Sequence, residues 1–75
     1  MAALKQYEQA VADYDQAIQL DPSSASAYYN RALAQEGWGN RELALADLDK
    51  ALSLASDPFL TELIQQASEL MRAAP

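Results

Sequence analysis

The sequence predicts an all-α fold of about four antiparallel helices, and three observations lead there. The first is an internal repeat. "EQAVADYDQAIQL" at residues 8–20 returns as "ELALADLDKALSL" at residues 42–54, with seven identities in 13 positions and a constant offset of 34. The differences are mostly apolar for apolar: Val11 for Leu45, Tyr14 for Leu48, Ile18 for Leu52. The second is periodicity. Apolar residues recur at steps of three and four, one face of a helix, and no segment alternates with the period of two that marks a half-buried strand. The third is punctuation, with turn-forming residues gathered at "DPSS", "GWGN" and Asp57 with Pro58. Joints that short make sequential helices antiparallel neighbours.

The first helix is expected over about residues 2–20, where Leu4, Tyr7, Val11, Tyr14 and Ile18 form one stripe. Pro22 stops it, because a proline disfavours helical geometry at the residue before it. Ser23 or Ser24 suits the start of the second helix, since a serine oxygen accepts a hydrogen bond from a free N–H of the first turn. That helix carries Ala25, Tyr28, Tyr29, Ala32 and Leu33 on its buried side and ends at "GWGN". Gly39 takes the left-handed conformation past the end without a Cβ penalty, and Asn40 is placed to cap the third helix. The third helix, about residues 41–55, presents Ala44, Leu45, Leu48, Ala51, Leu52 and Ala55 inward. Asp57 as cap and Pro58 in the first turn open the fourth. Phe59, Leu60, Leu63, Ile64, Ala67, Leu70 and Met71 then make a wide stripe down to a frayed "RAAP" end.

Composition removes most chemistry. The 75 residues hold no Cys and no His, so there is no disulfide, no thiol nucleophile, and neither the commonest general base nor the commonest transition-metal ligand. A chain this short buries only about 60% of the surface that its unfolded form exposes, which implies modest stability. Eleven acidic against five basic residues give a net charge of −6, which repels nucleic-acid phosphates and anionic membranes alike. No apolar run approaches the ~20 residues of a membrane span. "MAALKQYEQA" lacks the basic flank and apolar run of a signal peptide, so a cytoplasmic location is expected. Asp13, Asp15, Asp47 and Asp49 read as exposed helix surface rather than metal ligands, because "DYD" and "DLD" lack the loop glycine and further ligands of a calcium site. Gly37 and Gly39 flank a tryptophan in a joint and form no phosphate loop. Nothing places two carboxylates in an apolar pocket that would split their pKa values. Neither an enzyme, nor a cofactor, nor a metal is expected.

Tyr28 and, four residues on, the small Ala32 lie on one helix, and Ala44, Leu48 and Ala51 on the next. Ala10, Tyr14, Ala17 and Pro22 stand earlier at the same spacing. With these residues and a period of 34, the chain resembles the tetratricopeptide-repeat family. Alanine at a helix crossing lets two backbones approach closely, and Tyr or Leu one turn on fills the space beside it. The resemblance implies a short right-handed α-solenoid of stacked helix-turn-helix repeats. Residues 1–22 correspond to the second helix of a truncated repeat, 23–56 to a complete repeat, and 57–75 to the first helix of a third repeat or a capping helix. Pro58 comes two places late, so the last helix fits the pattern after a two-residue shift. Ile64, Ala67, Ser68 and Met71 then take the large, medium, small and large places. Arg31 and Gln35 stand where the family commonly has Leu and an aromatic, which predicts loose packing on that side of the second helix. Trp38 is expected to pack between the two helices of its repeat.

The resemblance further implies a non-catalytic scaffold that grips a protein or peptide segment in a concave groove. By position, Ser26, Tyr29, Asn30, Leu33 and Glu36 line it, and the shifted register adds Glu62, Gln65, Gln66 and Glu69. The plain alternative is that these form a solvated face. Tyr28 is the core residue of its pair, leaving Tyr29 to the groove, where an amphipathic ring suits recognition. One subgroup of the family clamps the C-terminal carboxylate of chaperones with Lys, Arg and Asn. Asn30 matches one clamp place, but Glu62 and Gln66 stand at basic ones, so clamping is not expected. The acidic lining favours a basic or mixed apolar–basic partner. A second reading comes from the ends. The first helix lacks its partner and the last lacks its own, so the chain stacks end to end through a heterologous contact, or is a piece trimmed from a longer array.

Overall fold

The computed structural model describes residues 2–73, with side chains from Lys5 onward. The Leu4 side chain at the head of the predicted stripe and the last two residues of the "RAAP" end lie outside the described residues. Four helices follow one another: α1 (Ala2–Leu20), α2 (Ala25–Trp38), α3 (Arg41–Leu54) and α4 (Pro58–Ala73). They form a short α-solenoid in a slab of 37 × 34 × 17 Å. The helix α2 packs between α1 and α3, α4 lies on α3, and α4 meets α2 only along an edge. Among the described residues no helix is long and apolar enough to cross a membrane.

The joints follow from local chemistry. Asp21 Oδ1 accepts from the Ser23 N–H at 3.2 Å and its hydroxyl at 2.8 Å, which shapes the turn after α1. Ser24, not Ser23, is the cap of α2, accepting from the Ala27 N–H at 3.2 Å. Gly39 ends α2 at φ 97°, with its own N–H and that of Asn40 donating to the Glu36 and Gln35 carbonyls. Asn40 holds the cap position of α3, but its side chain makes no capping hydrogen bond. Its backbone serves both helices, the N–H donating to the Gln35 carbonyl at 2.8 Å and the carbonyl accepting from the Ala44 N–H at 3.0 Å. Asp57 Oδ1 caps α4 through the Phe59 N–H at 2.9 Å.

The two glycines of "GWGN" do different work. Gly37 and Trp38 belong to the last turn of α2 rather than to the joint, and Trp38 is half-buried there. A Cβ at Gly37 would stand 2.6 Å from Tyr7 Cζ, so the missing side chain lets the ring from α1 close over the end of α2. Around Gly39 nothing lies within 4 Å of a Cβ, which leaves backbone conformation as the whole requirement. Gly39→Ala is therefore expected to lower stability by about 1 kcal/mol, the cost of a left-handed L-residue, with Gly39→Asn costing less. Denaturant midpoints at unchanged m-value check this, and an alanine variant as stable as the parent would refute it.

The core is built of small residues around two larger ones. Ala32, Ala44, Ala51, Leu48 and Ile64 are fully buried and Met71 nearly so, with Tyr28, Tyr29, Leu45, Ala55, Leu60 and Ala67 packed around them. The repeated Ala10, Tyr14 and Ala17 of α1 are only half-buried, because α2 alone covers them, whereas α3 is covered by both α2 and α4. Leu33 and Leu52, expected inside, are exposed. As the central helix, α2 buries two faces rather than one, and its second inward face is Ala27 and Ala34. Leu52 borders an open hollow between α3 and α4.

Packing beside Arg31 and Gln35 is tight, not loose. Asp47, expected on the surface, is only 8% exposed. The Arg31 guanidinium donates to both its oxygens at 2.7 Å, a bidentate pair joining α2 to α3. Gln35, also buried, points its amide NH₂ at Asp47 Oδ2 (2.8 Å) and the Leu43 carbonyl (3.2 Å); the reverse orientation would set oxygen against oxygen. The third arm of Arg31 reaches Asp15 of α1 at 2.7 Å, and its carbon Cζ lies 5.4 Å from the centre of the Tyr28 ring. The Asp47 hydrogen bond, partly opposed by burial and helped by Asp15, raises the Arg31 pKa above its ordinary value. The guanidinium therefore stays charged at every working pH. Two residues on from Asp47, Asp49 accepts from Arg72 of α4 at 3.4 Å. In "DLD" the first Asp faces the helix before and the second the helix after, since residues two apart on a helix point apart.

Candidate partner-binding groove

Where α2 and α4 draw together they leave a notch of about 240 Å³ lined by Leu33, Glu36, Ala67, Leu70 and Met71. Its floor and walls are apolar: Met71 is buried and Ala67 packs on the core, while Leu33 and Leu70 are 42% and 73% exposed. Glu36 supplies the polar edge. Its Oε2 is shielded from solvent, accepts no hydrogen bond, and lies 3.5 Å from Arg41 Nε. Glu36 is thus the acidic group at the edge of the notch, ion-paired with Arg41 on its far side.

The predicted groove residues divide. Leu33 and Glu36 line the notch directly. Tyr29 and Asn30 are half-buried on the same helix and Ser26 is exposed near its start. Tyr28 and Tyr29 both pack against the core, so the expected split between a core ring and a groove ring is not sharp. Gln66 and Glu69 border a second hollow with Leu70 and Ala73, just past the notch, and Gln66 Nε2 donates to Glu62 Oε1 at 3.5 Å. Gln65 lies elsewhere, with Asp49, Leu52 and Arg72 on the α3 side of α4.

The cause is the two-residue register shift, which turns a helix by about 200°. At the plain spacing of 34, Leu33 and Glu36 correspond to Ala67 and Leu70, the residues that stand opposite them in the notch. Ile64, Ala67, Ser68 and Met71 are covered, but by the preceding helices on which α4 rests. Ala67, Leu70 and Met71 were therefore missed as groove residues, although the unshifted period points to two of them. Among the described residues no group of three or more carboxylates, His or Cys is gathered as a metal site.

Comparison with known proteins agrees with this architecture. A family model described as TPR repeat matches residues 2–37, and one described as Tetratricopeptide repeat matches residues 25–58. The chain is 41% identical over 69 residues to human Sperm-associated antigen 1, covering 92% of this chain and 7% of that protein. It is 43% identical over 53 residues to the Protein STIP1 homolog of Dictyostelium discoideum, covering 71% of this chain and 9% of that protein. The chain thus spans less than a tenth of the length of either relative. No solved structure matches it. Matched by two overlapping repeat models and built as stacked helix pairs with a 34-residue period, the chain belongs to the tetratricopeptide-repeat family.

Proposed function

We propose that this chain is a non-catalytic protein-interaction module that takes a partner segment along the groove between α2 and α4. An apolar side chain sits in the notch and a basic one at its acidic edge. The observation that carries this reading is the apolar notch of Leu33, Ala67, Leu70 and Met71 edged by Glu36. A net charge of −6 supports the basic half of the preference. On this reading α1 corresponds to the second helix of a repeat, residues 23–56 form a complete one, and α4, the first helix of a third repeat or a capping helix, walls the groove.

The end-to-end alternative has less to rest on. At a spacing of 34, Glu62, Gln66 and Glu69 stand where Tyr28, Ala32 and Gln35 pack with α3 residues, and all three are exposed. A second copy stacking its α1 there would have to cover two carboxylates with Lys5 as the one basic residue of that helix.

Titration of labelled protein with short peptides that pair Leu with Lys, Ser or Glu tests the groove. The Leu–Lys peptide is expected to bind best, shifting the amide signals of Leu33 and Ala67. Leu33→Ser should weaken it about tenfold, or about 1.4 kcal/mol. Leu33 is a cleaner probe than Tyr29, whose removal would also disturb the core. Shifts confined to α1, or none with any peptide, would sink the reading.

A further inference from the structure

Resting on the groove reading, we propose that the occupant is a short amphipathic helix carrying Lys or Arg along one flank. Beyond the notch, α4 exposes an apolar row: Phe59 at 79%, Leu63 at 47% and Leu70 at 73%. Steps of four and seven put these three on one stripe, about 16 Å or three turns long. Glu62, Gln66 and Glu69, all exposed, form a second stripe directly beside it, at helical steps of four and three. An apolar row this exposed, bordered by charge, marks an interaction surface rather than a solvated face.

The adjacency of the two rows decides the partner's conformation. A binding segment must set apolar and basic side chains on adjoining faces to meet both at once. A helix does this at steps of three and four, whereas an extended segment presents every second side chain in a single row, so it can meet one of the two stripes along its length but not both side by side. Charge decides against a second copy of this chain. Its own α4 would bring Glu62 and Glu69 against the same two carboxylates, and both copies carry a net charge of −6.

The test uses three synthetic peptides of about 14 residues, four turns of helix. One has a Leu seam with Lys on one flank, the second replaces Lys by Glu, and the third keeps the Lys but carries a central proline that breaks the helix. The first is expected to bind, to gain helical circular dichroism on mixing, and to shift the amides of Leu33, Leu63 and Leu70. The proline and Glu peptides should bind at least about tenfold more weakly, and Glu62→Lys with Glu69→Lys should reverse the preference between Lys and Glu. Equal binding of the proline peptide would overturn the helix inference while leaving the groove reading intact. No response at α2 or α4 to any peptide would overturn both. A mass for the chain alone near twice 8.2 kDa, lost in Leu70→Ser, would make a second copy the occupant and overturn the proposal. Leu63 and Leu70 are exposed enough that their serine variants should keep the parent's unfolding curve.

Discussion

Asp47→Ala is expected to cost the fold about 3 kcal/mol, although Asp47 belongs to a motif that reads as surface. Its carboxylate accepts two bonds from Arg31 and one from Gln35 inside the α2–α3 interface. Truncation leaves a mostly buried guanidinium with only Asp15, and strands the buried Gln35 amide; breaking buried pairs of this kind costs about 3–5 kcal/mol. The lower end applies because the Arg31 side chain is 21% exposed and keeps one partner. Asp15→Ala, at the half-exposed arm, should change stability by about 0.5 kcal/mol or less. For a chain this small, total stability is roughly 4–11 kcal/mol, so the Asp47 variant loses a large share of it. Urea unfolding of the two variants side by side gives the answer, and equal effects would mean that Asp47 is no more than a surface partner.

Leu48→Ala should cost about 3–4 kcal/mol, in the middle of the range for deleting a buried leucine side chain. Leu48 is fully buried, and much of its surroundings is Ala32, Ala44 and Ala51. Alanines have no side chain to swing into the gap, so it closes only as far as the larger members of the cluster, such as Met71, Leu45 and Leu60, can shift. Leu43→Ala, on the exposed side of the same helix, controls for helix propensity and should stay within about 0.5 kcal/mol. A Leu48 variant no worse than the Leu43 variant would show that the alanine-rich core collapses freely.

Much of this architecture is legible in the residues. Pro22, Gly39 and Asp57 act within a few residues of themselves, so the helix ends fall where the sequence places them. The repeat likewise identifies Ala44, Leu48 and Ala51 as core, because their burial is a property of the pattern. Asp47 is different. Its burial depends on Arg31, 16 residues away on another helix, and nothing local distinguishes it from the exposed Asp13 at the same place in the preceding repeat. The groove face of α4 fails to show for another reason. Aligning Pro58 to the family pattern moves the register by two residues, and a helix magnifies that into a little over half a turn of rotation. A turn residue fixes where a helix begins, but packing against α3 fixes which way it faces.

The thinness of the slab has a consequence for how it comes apart. At 17 Å across, against 34 and 37 Å the other ways, it has room for no more than two layers of helices, whose packed axes lie about 8–10 Å apart, and α1 touches only α2. No deep interior unites all four helices, so cohesion is a sum over neighbours, as in any quasi-one-dimensional array. Among the described residues the buried side chains all belong to α2, α3 and α4, and α1 packs on α2 alone, so α1 is expected to be the first to come away. Melting therefore starts as a local peeling of α1, with Tyr7 lifting from Gly37 and Arg31 releasing Asp15, while Asp47 keeps its grip. The α2–α4 notch has no wall from α1, so it outlasts the first stage of unfolding.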